Sequence, residues 1–168
     1  GNRKIATGPA AIMPFGLVAD MDAYDLGEAT GLLDRLMMVK TPAEVEALKR
    51  ATDMADGGYK VFLEAARPGK AEYEVVAEME GYFRAEGCQE NFMLIGSGGV
   101  EVMGMHPASD RRIQSGDLVT TELSPCIDGY FSQICRTMVI GEPTDTQIES
   151  FRVYQDAVDA GLAVLKPG

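Results

Sequence analysis

The sequence predicts an α+β domain in which helices pack on an antiparallel sheet. Three observations support this prediction: two amphipathic helical patterns come first, one long β-hairpin pattern follows, and another helical pattern comes after the hairpin. The order helix, helix, strands, helix is typical of α+β units. With 168 residues, the chain is long enough for one domain with a hydrophobic core, or for one domain and part of another.

Residues 1–40 show no sustained hydrophobic periodicity and are interrupted by Gly8-Pro9 and by Pro14-Phe15-Gly16. Glycine and proline punctuate the chain in this way at turns and loops. We therefore expect residues 1–40 to be the tail of a preceding element followed by a connector, with a boundary before residue 41.

A helix is predicted to begin after Thr41, because Thr41 is a good N-cap, Pro42 suits the first helical position and Glu44 completes a capping box. We expect this helix to stop before Pro68-Gly69. Its predicted buried stripe comprises Val45, Leu48, Ala55, Tyr59, Phe62 and Ala66.

A second helix is predicted over residues 72–86, with Gly87 as the residue that ends it in a left-handed conformation. Its apolar face comprises Val75, Val76, Met79, Tyr82 and Phe83. Residues 92–95 then favour a short buried strand. The glycines of residues 96–99 predict tight backbone turns.

The next segment reads as a β-hairpin, with Asp128-Gly129 as the turn signal. If these two residues occupy the turn, the numbers of paired residues add up to 257, so that Glu122 lies opposite Cys135 and diagonal to Gln133. Side chains alternate along a strand, so all three share one face. That face either lines a pocket or is an ordinary solvated side of an antiparallel sheet.

A last helix is predicted from the second capping box, Thr144-x-x-Gln147, and its end from Lys166-Pro167-Gly168. The residues expected to point inward are Ile148, Phe151, Tyr154 or Gln155, Val158, Leu162 and Leu165. A helix with such a stripe normally packs against a core.

The composition excludes some classes of partner. Acidic residues outnumber basic ones 26 to 15, for a net charge of −11, which disfavours nucleic acid and anionic membranes. No run approaches the roughly 20 apolar residues of a transmembrane helix, and we expect a cytoplasmic protein. The cysteines Cys88, Cys126 and Cys135 form no C-x-x-C pair, and buried free thiols are favoured over a disulfide between Cys126 and Cys135.

Several motifs together give a resemblance over about three-quarters of the chain. The motifs are residues 39–44, Pro68-Gly69, Met105-His106-Pro107, residues 116–119, Asp128-Gly129-Tyr130, Arg136-Thr137 and Lys166-Pro167-Gly168. In order and spacing they resemble the pita-bread catalytic domain of the peptidase M24 family, which includes aminopeptidase P, prolidase and creatinase. The resemblance implies that residues 1–40 are the end of the family's N-terminal domain and its linker, that residues 41–168 are the first half of the pita-bread domain, and that the second half is absent.

The resemblance also implies a metal site that this sequence alters. In the metallopeptidases of the family, two aspartates of the hairpin bridge a pair of divalent ions, and their positions correspond here to Glu122 and Gln133. Two-metal hydrolysis needs anionic oxygens to hold both ions, and a neutral glutamine is a weak bridging ligand. We therefore predict no cofactor and no standard dinuclear site, although binding of Mn, Co or Zn stays open.

Creatinase resembles this chain in having residues other than aspartate at both positions, and His106 falls where creatinase places its catalytic histidine. The resemblance implies that His106 transfers a proton, with Glu122, Gln133 and Cys135 as substrate-binding residues. Creatine itself is not expected as the substrate, because Cys135 replaces a substrate-holding glutamate.

The leading hypothesis from the sequence is thus a creatinase-like hydrolase of a C–N bond in a small amide, amidine or dipeptide-like substrate. One alternative is a metal-dependent Xaa-Pro aminopeptidase or dipeptidase, and another is a catalytically silent pita-bread binding module. We expect the fragment alone to be inactive and the protein to form a homodimer.

Overall fold

The computed structural model describes residues 5–8, 12–14, 16, 26–99 and 104–167. Of the residues used above, Pro9, Phe15 and Gly168 lie outside these ranges. The elements are, in chain order, β1 (Ile5–Thr7), β2 (Leu26–Glu28), α1 (Thr30–Met38), α2 (Pro42–Ala65), α3 (Glu72–Ala85), β3 (Glu90–Gly98), β4 (Leu118–Ile127), β5 (Tyr130–Phe131), β6 (Ile134–Val139) and α4 (Asp145–Val164).

The chain divides into two compact units, Gly1–Glu46 and Ala47–Gly168, and the division falls within α2. In the first unit, β1 and β2 form a parallel pair, and α1 follows β2. The second unit contains the four-stranded sheet of β3 to β6. The domain boundary at residue 41 stays a prediction.

Helix α2 begins as the capping box predicts. The Thr41 amide donates to Glu44 Oε2 at 2.6 Å, and the Glu44 amide donates to Thr41 Oγ1 at 3.4 Å. The predicted stripe is confirmed at Ala55, Phe62 and Ala66, which are buried, but Val45 is exposed. The buried residues of α2 are Ala47, Ala51, Met54, Ala55, Gly58, Phe62 and Ala65.

Helix α3 has the predicted extent to within one residue, and Gly87 has the expected positive φ, 83°. Strand β3, in contrast, begins two residues earlier and ends three residues later than predicted, because Gly96, Ser97 and Gly98 belong to the strand and not to a turn. The correction has a steric reason. A Cβ atom at Gly96 would overlap the carbonyl oxygen of Gly104, so the glycine permits a close approach of two backbone segments.

The predicted hairpin register is confirmed over its whole length. Strand β4 pairs with β6 from Leu118↔Val139 to Leu123↔Ile134 and with β5 at Cys126↔Phe131, and each pair of numbers adds up to 257. Asp128 and Gly129 have φ angles of 52° and 83°. Two successive positive φ values are what a two-residue type I′ turn requires.

The two faces of this sheet differ. The face that we call the helix face carries Val119, Thr121 and Leu123 of β4, all fully buried. Its core cluster joins α2, α3 and the sheet through Ala51, Met54, Phe62, Val75, Met79, Phe83, Ile95, Val119 and Leu123. The other face, which we call the open face, carries Thr120, Glu122, Gln133, Cys135 and Thr137, and none of these is buried.

Helix α4 starts at its predicted capping box, where the Gln147 amide donates to Thr144 Oγ1 at 3.3 Å. The prediction that its apolar stripe points inward is wrong for the part of the chain that the structure describes. Ile148, Phe151, Tyr154, Val158, Leu162 and Leu165 are all exposed, because no described element covers them. Across the described ranges, no helix has both the length and the apolar character that a membrane crossing needs.

Candidate functional site

The open face brings together three of the four residues that the sequence singled out. Glu122 lies directly opposite Cys135 in the register, and Gln133 Nε2 donates a hydrogen bond to Glu122 Oε1. Beside them, Thr137 Oγ1 donates to Thr120 Oγ1 at 2.9 Å. The face therefore presents a carboxylate, a carboxamide, a thiol and two hydroxyl groups within one small patch.

The thiol of Cys135 is accessible but not activated. All three cysteines are free, and Cys88 and Cys126 are buried as expected, whereas Cys135 is exposed, which corrects the expectation of a buried thiol. Partial burial raises the pKa of Cys135, and the nearby Glu122 carboxylate raises it further, against the smaller opposing effect of Arg136. A thiol with a raised pKa is a poor nucleophile at neutral pH.

The donor set of the open face does not fit a dinuclear metal centre. Such a centre needs carboxylates that bridge two cations, and Gln133 supplies a neutral amide whose N–H group points at Glu122. A cation placed between these two side chains would have to displace that hydrogen bond. In the part of the chain that the structure describes, no three His, Cys, Asp or Glu side chains are grouped as metal ligands.

His106 lies apart from this patch. It pairs with Ile95 of β3 through two backbone hydrogen bonds of 3.0 Å, so its segment runs along the edge of the sheet beside β3. Ile95 in turn pairs with Thr121, whereas the neighbouring Leu94 pairs with Glu122. Paired residues share a face, so His106 belongs to the helix face and is separated from Glu122 by strand β3.

A buried carboxylate that no sequence pattern indicated lies next to His106. Glu72, the first residue of α3, is fully buried, and its Oε2 atom lies 3.9 Å from His106 Nδ1. Its Oε1 accepts a hydrogen bond from Ser97 Oγ at 2.6 Å, and its Oε2 accepts two from Ser109, from the amide at 3.0 Å and the hydroxyl at 2.6 Å. Glu72 lies in the first turn of α3, where acidic residues are common, and its partners are 25 and 37 residues away.

The network continues to a second carboxylate. Arg111 Nη1 donates to Ser97 Oγ at 2.9 Å, and its guanidinium forms a bidentate pair with Asp117 at 2.6 and 3.1 Å. Burial raises the pKa of Asp117, but the bonds from Arg111 and the Gln114 amide outweigh burial and keep that pKa below its ordinary value. Asp117 is thus ionised and fixes the turn that leads into β4.

The pKa of Glu72 is also lowered. Burial alone raises it, yet the hydrogen bonds from Ser109 and Ser97 and the charge of His106 together outweigh burial. A carboxylate that accepts several hydrogen bonds stays ionised even when it is buried. The helix face therefore holds a fixed negative charge beside the one histidine of the sequence.

Comparisons with known proteins place this architecture in a defined class. The structure of the prolidase from Pyrococcus horikoshii OT3 superposes with a TM-score of 0.89 at 26% identity, covering 99% of this chain and 49% of that one. The Xaa-Pro dipeptidase from Bacillus anthracis superposes with a TM-score of 0.79 at 30% identity, covering 92% and 45%. Helices packed on this antiparallel sheet thus form the pita-bread fold of prolidases and aminopeptidases.

The sequence comparisons agree. The uncharacterized peptidase YqhT of Bacillus subtilis is 32% identical over 154 residues, which is 90% of this chain and 43% of that protein. The Xaa-Pro dipeptidase of Pyrococcus furiosus is 33% identical over 135 residues, 79% of this chain and 39% of that protein. The model of metallopeptidase family M24 matches residues 46–168. The chain belongs to family M24, and it spans less than half the length of these relatives.

Proposed function

We propose that the protein containing this chain hydrolyses a C–N bond in a small amide, amidine or dipeptide-like substrate, without the standard dinuclear metal centre of its family. The observation that carries the proposal is the hydrogen bond between Gln133 and Glu122. The two positions that correspond to bridging metal ligands hold an amide and a carboxylate that bind each other.

This pair suits a polar substrate. Glu122 offers carboxylate oxygens to N–H groups, and Gln133 offers both a carbonyl oxygen and N–H donors. Amides and amidines carry N–H groups, and amides also carry a carbonyl oxygen, next to the bond that breaks. Both side chains are accessible on the open face, so Glu122 and Gln133 are assigned to hold the substrate or the attacking water, with Cys135 at their side.

We assign proton transfer to His106. An imidazole is suited to move a proton near neutral pH, and the His106 side chain is 53% exposed. Its separation from Glu122 sets a requirement on the substrate. Because His106 belongs to the helix face, a molecule held by Glu122 on the open face must extend across β3 and around the segment that bears His106 to bring its leaving group to the imidazole.

A metal-dependent Xaa-Pro dipeptidase is the second candidate, because a relative at 33% identity is described as an Xaa-Pro dipeptidase and the matching family is one of metallopeptidases. In this reading Glu122 would be a metal ligand, and Gln133 would be a weak one. The two candidates differ in one measurable property, the stoichiometry of bound divalent metal. A homodimer and a cytoplasmic location also stay predictions.

Metal binding by the full-length protein separates the candidates. We expect wild-type protein loaded with Mn²⁺ to hold fewer than two ions, and we expect Gln133→Asp, which restores a second carboxylate, to gain affinity for Mn²⁺. Gln133→Asn is the matched control, because it keeps the amide. Two tightly bound ions in the wild type, with chelator-sensitive cleavage of Xaa-Pro dipeptides, would establish the metal-dependent candidate instead.

Turnover tests the role of His106. Against a panel of small amides, amidines and dipeptides, His106→Ala in the full-length protein should lower kcat by about 100- to 10,000-fold, the range for loss of a general acid or base. An unchanged kcat would remove His106 from the mechanism. Binding without turnover across the panel would point to a silent binding module.

A further inference from the structure

Three segments of the chain meet at the carboxylate of Glu72. It lies at the start of α3, it binds Ser97 of β3, and it binds the amide and hydroxyl of Ser109 in the segment that follows His106. Backbone bonds reinforce the junction, since the Glu72 amide donates to the Arg111 carbonyl at 3.1 Å. The position of this charge is therefore fixed relative to His106.

The nearer ring nitrogen of His106 faces two acceptors. Its Nδ1 lies 2.8 Å from the carbonyl oxygen of Pro107 and 3.9 Å from Glu72 Oε2. Neither oxygen donates a proton, so Nδ1 carries the hydrogen. In a neutral imidazole that leaves Nε2 unprotonated and free to accept a proton.

We infer that Glu72 is a positioning residue for His106, which together with the Pro107 carbonyl holds the proton on Nδ1 and leaves Nε2 as the base. The inference rests on the proposed function only for its consequence in catalysis. Carboxylates that orient a histidine through one ring nitrogen, so that the other can react, are a recurring arrangement in enzymes.

A purely structural Glu72 would anchor the segment around Ser109 without affecting the tautomer of His106. The tautomer is therefore the property to measure. ¹⁵N NMR of the full-length protein, with the imidazole signals of His106 assigned through its backbone, reports this tautomer. The measurement belongs at an alkaline pH at which imidazole is neutral.

We expect the wild-type spectrum to show a protonated Nδ1 and an unprotonated Nε2 as the major form. Glu72→Gln should shift the population so that the Nε2–H tautomer gains at the expense of Nδ1–H. Glu80→Gln, an exposed position on the same helix with the same change in charge, is the control and should match the wild type.

Two results would overturn the inference: a wild-type His106 that is mainly the Nε2–H tautomer, or a tautomer ratio that Glu72→Gln leaves unchanged. The first needs no variant, so it decides the matter even if Glu72→Gln does not fold. Ser97→Ala keeps the charge and loses one hydrogen bond, and it should retain the Nδ1–H form.

The catalytic consequence is measured separately in the full-length protein. Glu72→Gln should lower kcat by about tenfold with little change in KM, because the residue acts on the base and not on substrate binding. If the NMR result holds but His106→Ala turns over substrate normally, the proposed function fails and the positioning of His106 stands.

Discussion

The carboxylate on the helix face of the sheet and the carboxylate on its open face differ in burial and in their hydrogen-bond partners. On the helix face, Glu72 is fully buried and its oxygens accept hydrogen bonds from Ser97 and Ser109. On the open face, Glu122 is accessible and binds the side chain of Gln133. The first carboxylate is held by groups from two other segments of the chain, and the second is held by its neighbour in the same hairpin.

This difference indicates where the fold tolerates the substitution of polar side chains. A buried charge needs each of its partners, because an unpaired buried polar group costs stability. An accessible pair exchanges its partners for water at little cost. The hairpin can thus exchange the polar side chains of its open face, while the helix face keeps the register that aligns them.

The largest difference between the two faces is expected in how much their packed side chains stabilise the fold. Phe83 is fully buried on the helix side, whereas Phe92 on the open face is 51% exposed. We expect Phe83→Ala to lower the free energy of unfolding by about 3–5 kcal/mol. Phe92→Ala should cost about 1 kcal/mol or less. Urea denaturation of both variants measures the difference, and equal losses would contradict the assignment of the core to one face.

A smaller effect is expected from the buried charge. The folded-state pKa values of Glu72 and Asp117 lie below their ordinary values, so the unfolded chain binds protons at a higher pH than the folded chain. The resulting stability is present above about pH 4.5, the ordinary pKa of a glutamate, and is lost as the pH falls through the folded-state values.

Glu72→Gln should therefore flatten this acid dependence. It should also lower the free energy of unfolding at pH 7 by about 1–3 kcal/mol, because the side-chain NH₂ group of the glutamine would face the hydrogen-bond donors of Ser97 or Ser109. Denaturation curves between pH 3 and 7 provide the measurement, with Glu80→Gln as the control for net charge. If the stability of Glu72→Gln falls as steeply at low pH as that of the wild type, Glu72 is not responsible for the acid dependence.

On the open face we expect a change in reactivity without a change in stability. Cys135 is the exposed cysteine, so alkylation by iodoacetamide reports on it. Glu122 raises the pKa of its thiol. Glu122→Gln should thus move the alkylation profile to lower pH, whereas Glu90→Gln should not. An identical profile for all three proteins would mean that the Glu122 charge does not reach the sulfur.

Local signals in the sequence were enough for the hairpin and the helix starts. Asp128-Gly129 determines the turn type, and the turn determines every pair in the register, including Glu122 with Cys135. Thr41 and Thr144 bind within their own first helical turns. Because each of these features involves neighbours in the chain or one hairpin, the residue pattern contains the information.

Features that depend on distant segments were not predicted. Glu72 meets Ser97 and Ser109 only after α3 packs beside β3. The apolar stripe of α4 has the right period for burial, yet its exposure depends on which other elements are present. The face on which His106 lies follows from its pairing with Ile95, a contact that motif spacing does not reveal.

Gly96 links these observations. The Gly104 carbonyl oxygen occupies the space where a side chain at residue 96 would begin. The size of residue 96 therefore limits the distance between β3 and the segment that bears His106. A single added methyl group there would widen the gap and carry the imidazole with it. The position of this histidine is therefore adjustable from a residue that contains no functional group.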